Sequence, residues 1–252
     1  MIDILVIGIG AGNPDHMTMQ AIAALNRADI VLVPHKGSGK ADLAELRREI
    51  CRRFLTNPAA RLVEFDLPQR DGGTAYLDSV DAWHAAIADT YRALLDKELA
   101  GGGTAALLVW GDPSLYDSTL RILDRLRGAA DPGFEVTVIP GITSVQALAA
   151  SHAIPLNAIG GPVLVTTGRK LREGIPDTID TIVVMLDGEL SFRTLSQEDF
   201  DIYWGAYLGL EQEIILSGPL PDLAPAIAEA RSRARERHGW IMDTYVLKRR
   251  TP

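Results

Sequence analysis

The chain has little of what several common protein classes require. It contains one cysteine, Cys51, among 252 residues, which excludes an internal disulfide and suits a reducing compartment, so we expect a cytoplasmic protein. None of its apolar runs reaches the length of a membrane-spanning helix. The first apolar run has no basic region ahead of it, so we also expect no signal peptide.

Positive charge and metal-ligand patterns are scarce as well. The chain has 25 Lys and Arg against 33 Asp and Glu, for a formal net charge of -8 at pH 7, so a nucleic acid is not the expected partner. Its five histidines show no metal-ligand spacing, and with so little cysteine we expect no metal site. A polyanionic small molecule would need a local basic patch.

What the sequence does contain is a regular alternation of apolar runs and helical periodicity. This alternation predicts a mostly parallel α/β domain over residues 1–152. Residues 154–162 are dense in proline and glycine, which indicates a crossing between domains. The strands that follow cluster with few long helices between them, so residues 153–252 are predicted to form a second α/β domain with a mixed sheet.

The most informative stretch begins with the unbroken apolar run Ala105–Trp110. Such a run is typical of a strand buried on both faces of a parallel sheet. We expect a loop at Gly111 and a helix over Ser114–Leu126, with Asp112 as its N-cap. Open α/β sheets bind ligands at the carboxyl ends of their strands, so this loop, which also carries the phenol of Tyr116, is a candidate site.

A glycine-rich loop, Gly8–Asp15, follows the first strand and resembles a dinucleotide-binding turn at first sight. However, Asn13 stands where that motif needs Gly or Ala, and the next strand, Asp29–Val33, ends without an acid for the ribose. Both features argue against a dehydrogenase. The alternative is a glycine-rich floor that lets some ligand approach the backbone closely.

The loop after the second strand invites a phosphate-loop interpretation because it contains Lys36 and Lys40 between glycines. A Walker A loop needs glycine where Pro34 stands and Ser or Thr where Ala41 stands, so a nucleotide kinase is disfavoured. The loop is better described as flexible and basic, with its lysines either solvated or paired with an acidic ligand.

A fourth loop follows the predicted strand Phe134–Ile139 and reads Pro-Gly-Ile-Thr-Ser over residues 140–144. Gly141 allows a tight turn, and Thr143 or Ser144 is expected to cap a helix over Val145–Ser151. This is again a polar loop at the carboxyl end of a strand.

Taken together, these loops and the Val-Met-Leu run at residues 184–186 resemble the tetrapyrrole methylase family in order and spacing over nearly the whole chain. The resemblance implies two α/β domains of the class III methyltransferase type, with S-adenosylmethionine in the inter-domain cleft and, usually, a homodimer. Residues 12–16, 34–43 and 47–51 look most like members that methylate ring carbon 1 of precorrin-5 in cobalamin biosynthesis and release acetate.

The resemblance also implies roles for individual residues. One departure is Ala11, where relatives often carry proline. Candidate clamps for the substrate carboxylates are Lys36, Lys40, Arg47 and the segment Arg169–Arg172. The cofactor residues implied by position are Gly111, Asp112, Leu115, Thr143, Ser144, Met185 and Leu208.

Acetate loss requires water to add to a ketone before a carbon–carbon bond breaks, so a general base or donor is expected to assist. Asp15, His35 and Tyr116 are candidate catalytic residues, and nothing in the sequence selects among them. No Ser-His-Asp set or Cys-His pair argues for a separate hydrolase centre. Three alternatives stay open: another methylase of this fold acting at a different ring position or on a protein, a nucleotide-binding enzyme, and a non-catalytic binding protein.

Overall fold

The computed structural model describes residues 1–35, 41–69, 76–128 and 133–250. The chain divides into two compact units, one ending at Thr143 and the other beginning at Ser144. The domain boundary predicted from the helix breakers lies later, after residue 152, and it stays a prediction.

The first unit contains a five-stranded sheet in the order β3-β2-β4-β1-β5, and all of its strand pairings are parallel. This confirms the predicted parallel α/β architecture. The strands are β1 (Ile2–Gly8), β2 (Ile30–His35), β3 (Arg61–Asp66), β4 (Gly103–Val109) and β5 (Phe134–Ile139), and the helices of this unit are α1 (Met19–Leu25), α2 (Ala41–Phe54), α3 (Tyr76–Glu98) and α4 (Thr119–Gly128).

The central strands of this sheet are buried on both faces, which explains their unbroken apolar runs. On one face, Ile4 of β1 packs in a core with residues of α3 and α4 such as Ile87 and Ile122. On the other face, Leu5 belongs to a core that includes residues of α1 and α2. Cys51 lies in this second core, where burial raises the pKa of its thiol to about 11, so it packs as a small apolar residue.

The helix expected over residues 114–126 starts later than predicted. It begins at Thr119, whose N–H donates to the Asp117 carboxylate at 2.7 Å, so Asp117 rather than Asp112 caps it. The preceding residues form a turn in which Tyr116 has a left-handed backbone (φ 51). A left-handed residue cannot continue a right-handed helix, so the loop after β4 is longer than expected.

The second unit contains a five-stranded sheet in the order β6-β7-β10-β8-β9. Its β6–β7 pair is parallel and its other pairs are antiparallel, which confirms the predicted mixed sheet. Its strands are β6 (Val163–Thr167), β7 (Thr181–Met185), β8 (Phe200–Ala206), β9 (Ile214–Pro219) and β10 (Asp243–Arg249), and its helices are α5 (Ser144–Ser151), α6 (Gly168–Leu171) and α7 (Leu220–His238). In the part of the chain that the structure describes, no helix has the length and apolar character needed to span a membrane.

Candidate functional site

The loops after β1 and β4 are joined directly to each other. Gly10 and Gly111 form an isolated antiparallel bridge in which the Gly111 N–H donates to the Gly10 carbonyl at 2.8 Å, and the reverse bond measures 3.3 Å. Two loops that leave neighbouring parallel strands are thus held as one backbone platform at the carboxyl edge of the sheet, where ligands of open α/β folds bind.

The glycines of this platform differ in what surrounds them. A Cβ on Gly141 would lie 2.1 Å from the Gly111 carbonyl oxygen, and one on Gly8 would lie 2.6 Å from the Gly141 nitrogen. These two positions therefore exclude any side chain. At Gly111 (φ +69) a Cβ would meet only the Thr143 Cα, at 3.7 Å. Gly111 thus has room beside it for a ligand to approach the backbone, as close cofactor contact requires.

Asp112 ties the loop after β4 to the loop after β5. Its Oδ2 accepts the Gly141 N–H at 2.8 Å, and its Oδ1 accepts both the N–H and the hydroxyl of Ser114. Burial acts to raise the pKa of Asp112, but these hydrogen bonds outweigh it and hold the pKa below the ordinary aspartate value. The carboxylate stays ionised and organises the loops from within, a role that the sequence did not indicate.

The three candidate catalytic residues lie on loops or strand ends at the same edge of the sheet. Asp15 follows β1, His35 ends β2 and Tyr116 follows β4, and these three strands are neighbours. Two of the three have a side-chain partner. Asp15 pairs with Arg53 at 2.6 Å, and the His35 Nε2 lies 2.8 Å from a Glu64 carboxylate oxygen.

Glu64 has two partners, because Arg48 also binds it at 2.7 Å. The hydrogen bonds from Arg48 and His35 hold the pKa of Glu64 below its usual value. His35 is thus oriented by a carboxylate and an arginine at the edge of the sheet.

Tyr116 differs from the other two candidates. Its side chain is partly exposed, and within the described ranges of the chain its hydroxyl has no hydrogen-bond partner. Partial burial raises the pKa of its phenol above the ordinary tyrosine value, so the hydroxyl stays protonated at neutral pH. Of the three, Tyr116 is the residue best placed to donate a hydrogen bond to a ligand.

The basic residues proposed as substrate clamps have varied surroundings. Lys36 and Lys40 lie outside the described residues. Arg47 is partly buried and its Nε donates to the Leu108 carbonyl at 2.9 Å, so it lies beneath the edge of the sheet rather than on the surface. In the segment Arg169–Arg172, Lys170 pairs with Glu173 at 2.7 Å and Arg172 pairs with Glu189.

In the second unit, the cofactor residues implied by the resemblance gather at one end of the mixed sheet. Met185 of β7 is in register with Thr244 of β10, which is in register with Gly205 of β8, and Leu208 follows shortly after. The Thr244 hydroxyl also donates to the Ser144 hydroxyl at 3.1 Å. The structure thus brings Ser144 and Met185 to the same end of the sheet.

Two features of these loops were missed by sequence reasoning. Asp187, just after β7, is buried and accepts hydrogen bonds from Tyr245 (2.7 Å) and from the backbone (2.6 Å) and side chain (2.9 Å) of Ser191. His16 packs against Gly10, and its Nδ1 is buried without a partner in the described structure. An aspartate directly after an apolar strand is a recognisable turn signal, whereas nothing local indicates the position of His16.

The fold and its loops define an α/β protein whose glycine-rich loops meet at the carboxyl edge of a parallel sheet. The family model "Tetrapyrrole (Corrin/Porphyrin) Methylases" matches residues 3–224. The chain belongs to this family of methyltransferases.

Individual relatives agree with this assignment. The chain is 54% identical over 247 residues to "Precorrin-6A synthase [deacetylating]" of Sinorhizobium sp, covering 98% of this chain and 95% of the relative. A crystal structure of a cobalamin synthesis related protein (CobF) from Corynebacterium diphtheriae superposes with a TM-score of 0.85 at 38% identity, covering 98% and 99% of the two chains. A uroporphyrin-III-C-methyltransferase from Thermus thermophilus shares the fold, with a TM-score of 0.60 at 21% identity and coverage of 98% and 94%.

Proposed function

We propose that this protein is an S-adenosylmethionine-dependent methyltransferase that methylates ring carbon 1 of precorrin-5 and releases the acetyl group as acetate, giving precorrin-6A. The observation that carries this proposal is the 54% identity, over 98% of the chain, to a precorrin-6A synthase. The runner-up is methylation of a different ring position by the same fold.

The cofactor supplies a methyl group that is already electrophilic. The protein therefore has to bind and orient the donor and the acceptor, and it does not have to activate the methyl group. Holding donor and acceptor in line can lower the barrier by about 7–11 kcal/mol. The open space beside Gly111 fits a ligand against the backbone, and Asp112 fixes the loops on either side of that space. We assign Gly111, Asp112 and Leu115 to the methionine and ribose part. Thr143 and Ser144 follow, and Met185 and Leu208 contact the adenosine side.

The substrate is a ring bearing many carboxylates, so basic groups near the edge of the sheet are its expected partners. Lys36 and Lys40 follow directly after β2 in the sequence. Because the protein is acidic as a whole, with a net charge of -8, such a local basic loop would provide the attraction that the rest of the surface does not.

Release of acetate proceeds by addition of water to the acetyl carbonyl, followed by cleavage of the bond between that carbon and the ring. The bonding electrons pass into the conjugated imine system that methylation has created, and the acetyl carbon leaves as acetate. Tyr116 can assist as a hydrogen-bond donor, while Asp15 or His35 can accept a proton from the water. A single general acid or base contributes roughly 10²–10⁴-fold.

The homodimer that the resemblance implies and the cytoplasmic location that suits a single cysteine both belong to this proposal. Size-exclusion chromatography with light scattering tests whether the protein is a homodimer.

The deciding experiment is anaerobic turnover of precorrin-5 with S-adenosylmethionine labelled with carbon-13 in its methyl group. The label should appear on ring carbon 1 with one equivalent of acetate, and reactions without cofactor should give neither. Label on another ring carbon would support the runner-up. Acetate formed without cofactor, at the rate of full turnover, would show a separate hydrolytic site and refute the single-site mechanism.

A further inference from the structure

A small cavity lies under the carboxyl edge of the parallel sheet, inside the first unit. Its volume is about 100 Å³, and its lining includes the strand end at Val109 and the residues Asp117–Thr119. These residues flank the loop that begins at Gly111. The cavity therefore borders the two ends of the loop to which we assign the cofactor, on the side of the sheet covered by α3 and α4.

The walls of the cavity are mostly apolar. Trp83, Ile87 and Tyr91 of α3 and Ile122 of α4 line it together with Leu107 of β4. Trp83 cannot turn freely, because its indole N–H donates to the Pro68 carbonyl at 2.7 Å. A rigid apolar wall of this kind accepts a methyl group and selects by size.

Arg47 and Tyr91 add polar groups to this apolar space. Arg47 is fixed by its bond to the Leu108 carbonyl, and burial lowers the pKa of its guanidinium while Tyr91 and Asp117 act to raise it. Burial raises the pKa of Tyr91 to about 12. The cavity thus offers a cation and a protonated phenol, both of which recognise oxygen atoms.

Asp117 is the acidic group that faces this pair, and it is also engaged elsewhere. Its carboxylate accepts the Thr119 N–H at 2.7 Å and caps α4. The positive end of the helix compensates part of its charge, so the cavity is not dominated by negative potential. A group with one apolar carbon and one or two oxygen atoms matches this combination.

We propose that this cavity binds the two-carbon acyl group of the substrate and, after cleavage, the acetate product, with Arg47 and Tyr91 on the oxygen atoms and the α3–α4 wall on the methyl group. The inference rests on the proposed function. The tetrapyrrole ring is far too large for a space of about 100 Å³, whereas an acetyl group is small enough to enter it.

The first test measures binding of sodium acetate labelled with carbon-13 to the full-length protein by ligand-observed NMR. Acetate has four non-hydrogen atoms, and with a favourable binding free energy per atom it should bind with a dissociation constant on the order of millimolar. Formate should bind more weakly because it lacks the methyl group, and benzoate should not compete because it exceeds the cavity. Tyr91→Phe should weaken acetate binding about three- to tenfold, as loss of one hydrogen bond predicts.

The second test fills the cavity from its apolar wall. Ile122→Phe adds volume at a lining residue, and Leu126→Phe, one turn further along α4 in the same core but not lining the cavity, is the matched control. Ile122→Phe should abolish acetate binding and lower the ratio of acetate released to methyl transferred, so that methylated product retaining its acetyl group accumulates. Leu126→Phe should keep that ratio near one.

Three results would overturn the inference. The first is absence of acetate binding to the wild-type protein, and the second is equal behaviour of the two phenylalanine variants. The third is a raised KM for precorrin-5 in Ile122→Phe with an unchanged ratio of acetate to methyl transferred. That third result would assign the cavity to a carboxylate side chain of the ring. A failure of the proposed function is distinguishable, because the wild-type protein would then transfer no methyl group to precorrin-5 at all.

Discussion

The Asp112 carboxylate accepts the backbone N–H of Gly141 at 2.8 Å and so joins the loops that leave β4 and β5. The two residues are far apart in sequence, and their strands are not neighbours, because β1 lies between them in the sheet. The contact is possible because Gly8, at the end of β1, has no side chain to separate the loops.

Asp112→Asn should weaken binding of S-adenosylhomocysteine and lower the stability of the first unit. The amide has one acceptor oxygen in place of two, so an N–H at Gly141 or Ser114 loses its partner at a cost of about 1–3 kcal/mol. Isothermal titration calorimetry and urea unfolding measure the two effects. Asp124→Asn, an exposed position on α4, is the control. An unchanged affinity in Asp112→Asn would show that the loops need no such clamp.

Gly111→Ala should lower S-adenosylhomocysteine affinity more than it lowers stability. An alanine with a left-handed backbone costs about 1–2 kcal/mol of stability. At Gly111 the added methyl group would also occupy the space that we assign to the cofactor. Gly160→Ala provides a matched control, since both glycines have φ +69 and a Cβ on Gly160 meets nothing within 4 Å. Equal affinities in the two variants, measured by calorimetry, would place the cofactor elsewhere.

The ionisation of Asp187 should make the free energy of unfolding depend on pH in the acid range. Burial acts to raise its pKa, but hydrogen bonds from Tyr245, Glu189 and Ser191 outweigh it, so the folded pKa lies below the ordinary value. Its stabilisation is therefore full above the unfolded pKa of about 3.9 and is lost as pH falls through the folded value.

Asp187→Asn should consequently cost about 1–3 kcal/mol at pH 7, and the gap to wild type should narrow on acidification. Urea unfolding at several pH values from 7 down to about 3 measures this difference in unfolding free energy. Asp177→Asn, at an exposed position, is the control. A gap that stays constant with pH would mean that the ionised form is not what stabilises the fold.

The double substitution of Lys36 and Lys40 by alanine should raise KM for the tetrapyrrole and leave cofactor affinity unchanged. The effect should shrink with added salt, because screening at ~0.15 M reduces attraction between exposed charges beyond about 8 Å. Steady-state kinetics at low and high salt measure the change in KM, with Lys97→Ala, at an exposed lysine on α3, as control. Wild-type behaviour at low salt would show that these lysines are only solvated.

Tyr116→Phe should slow acetate release while methyl transfer continues, because it removes the hydroxyl that lacks a protein partner in the described structure. The loss should fall within the roughly 10²–10⁴-fold range of one acid–base group. Rapid-quench analysis of methylated intermediates measures it. Asp15→Asn and His35→Gln are the parallel variants, and whichever of the three accumulates the acetylated intermediate identifies the assisting residue.

The sequence by itself determined the parallel sheet, the mixed second sheet and the loops after β1, β4 and β5. These features follow from local properties: unbroken apolar runs, helical periodicity, and glycine where the chain turns. The same local signals placed Asp15, His35 and Tyr116 on loops or strand ends that meet at one edge, because consecutive parallel strands all end on the same side of a sheet.

Only the tertiary structure decided how those residues are used. Asp112 is predicted as a helix cap but accepts the Gly141 N–H. Arg47 is predicted as a substrate clamp, and its Nε donates to the Leu108 carbonyl. Asp187, to which no local pattern assigns a role, accepts a hydrogen bond from Tyr245. Each of these partners is distant in sequence, and the order of the strands in the sheet brings it close. A carboxylate or guanidinium binds the donors or acceptors that burial leaves within reach, and no local periodicity specifies which they are.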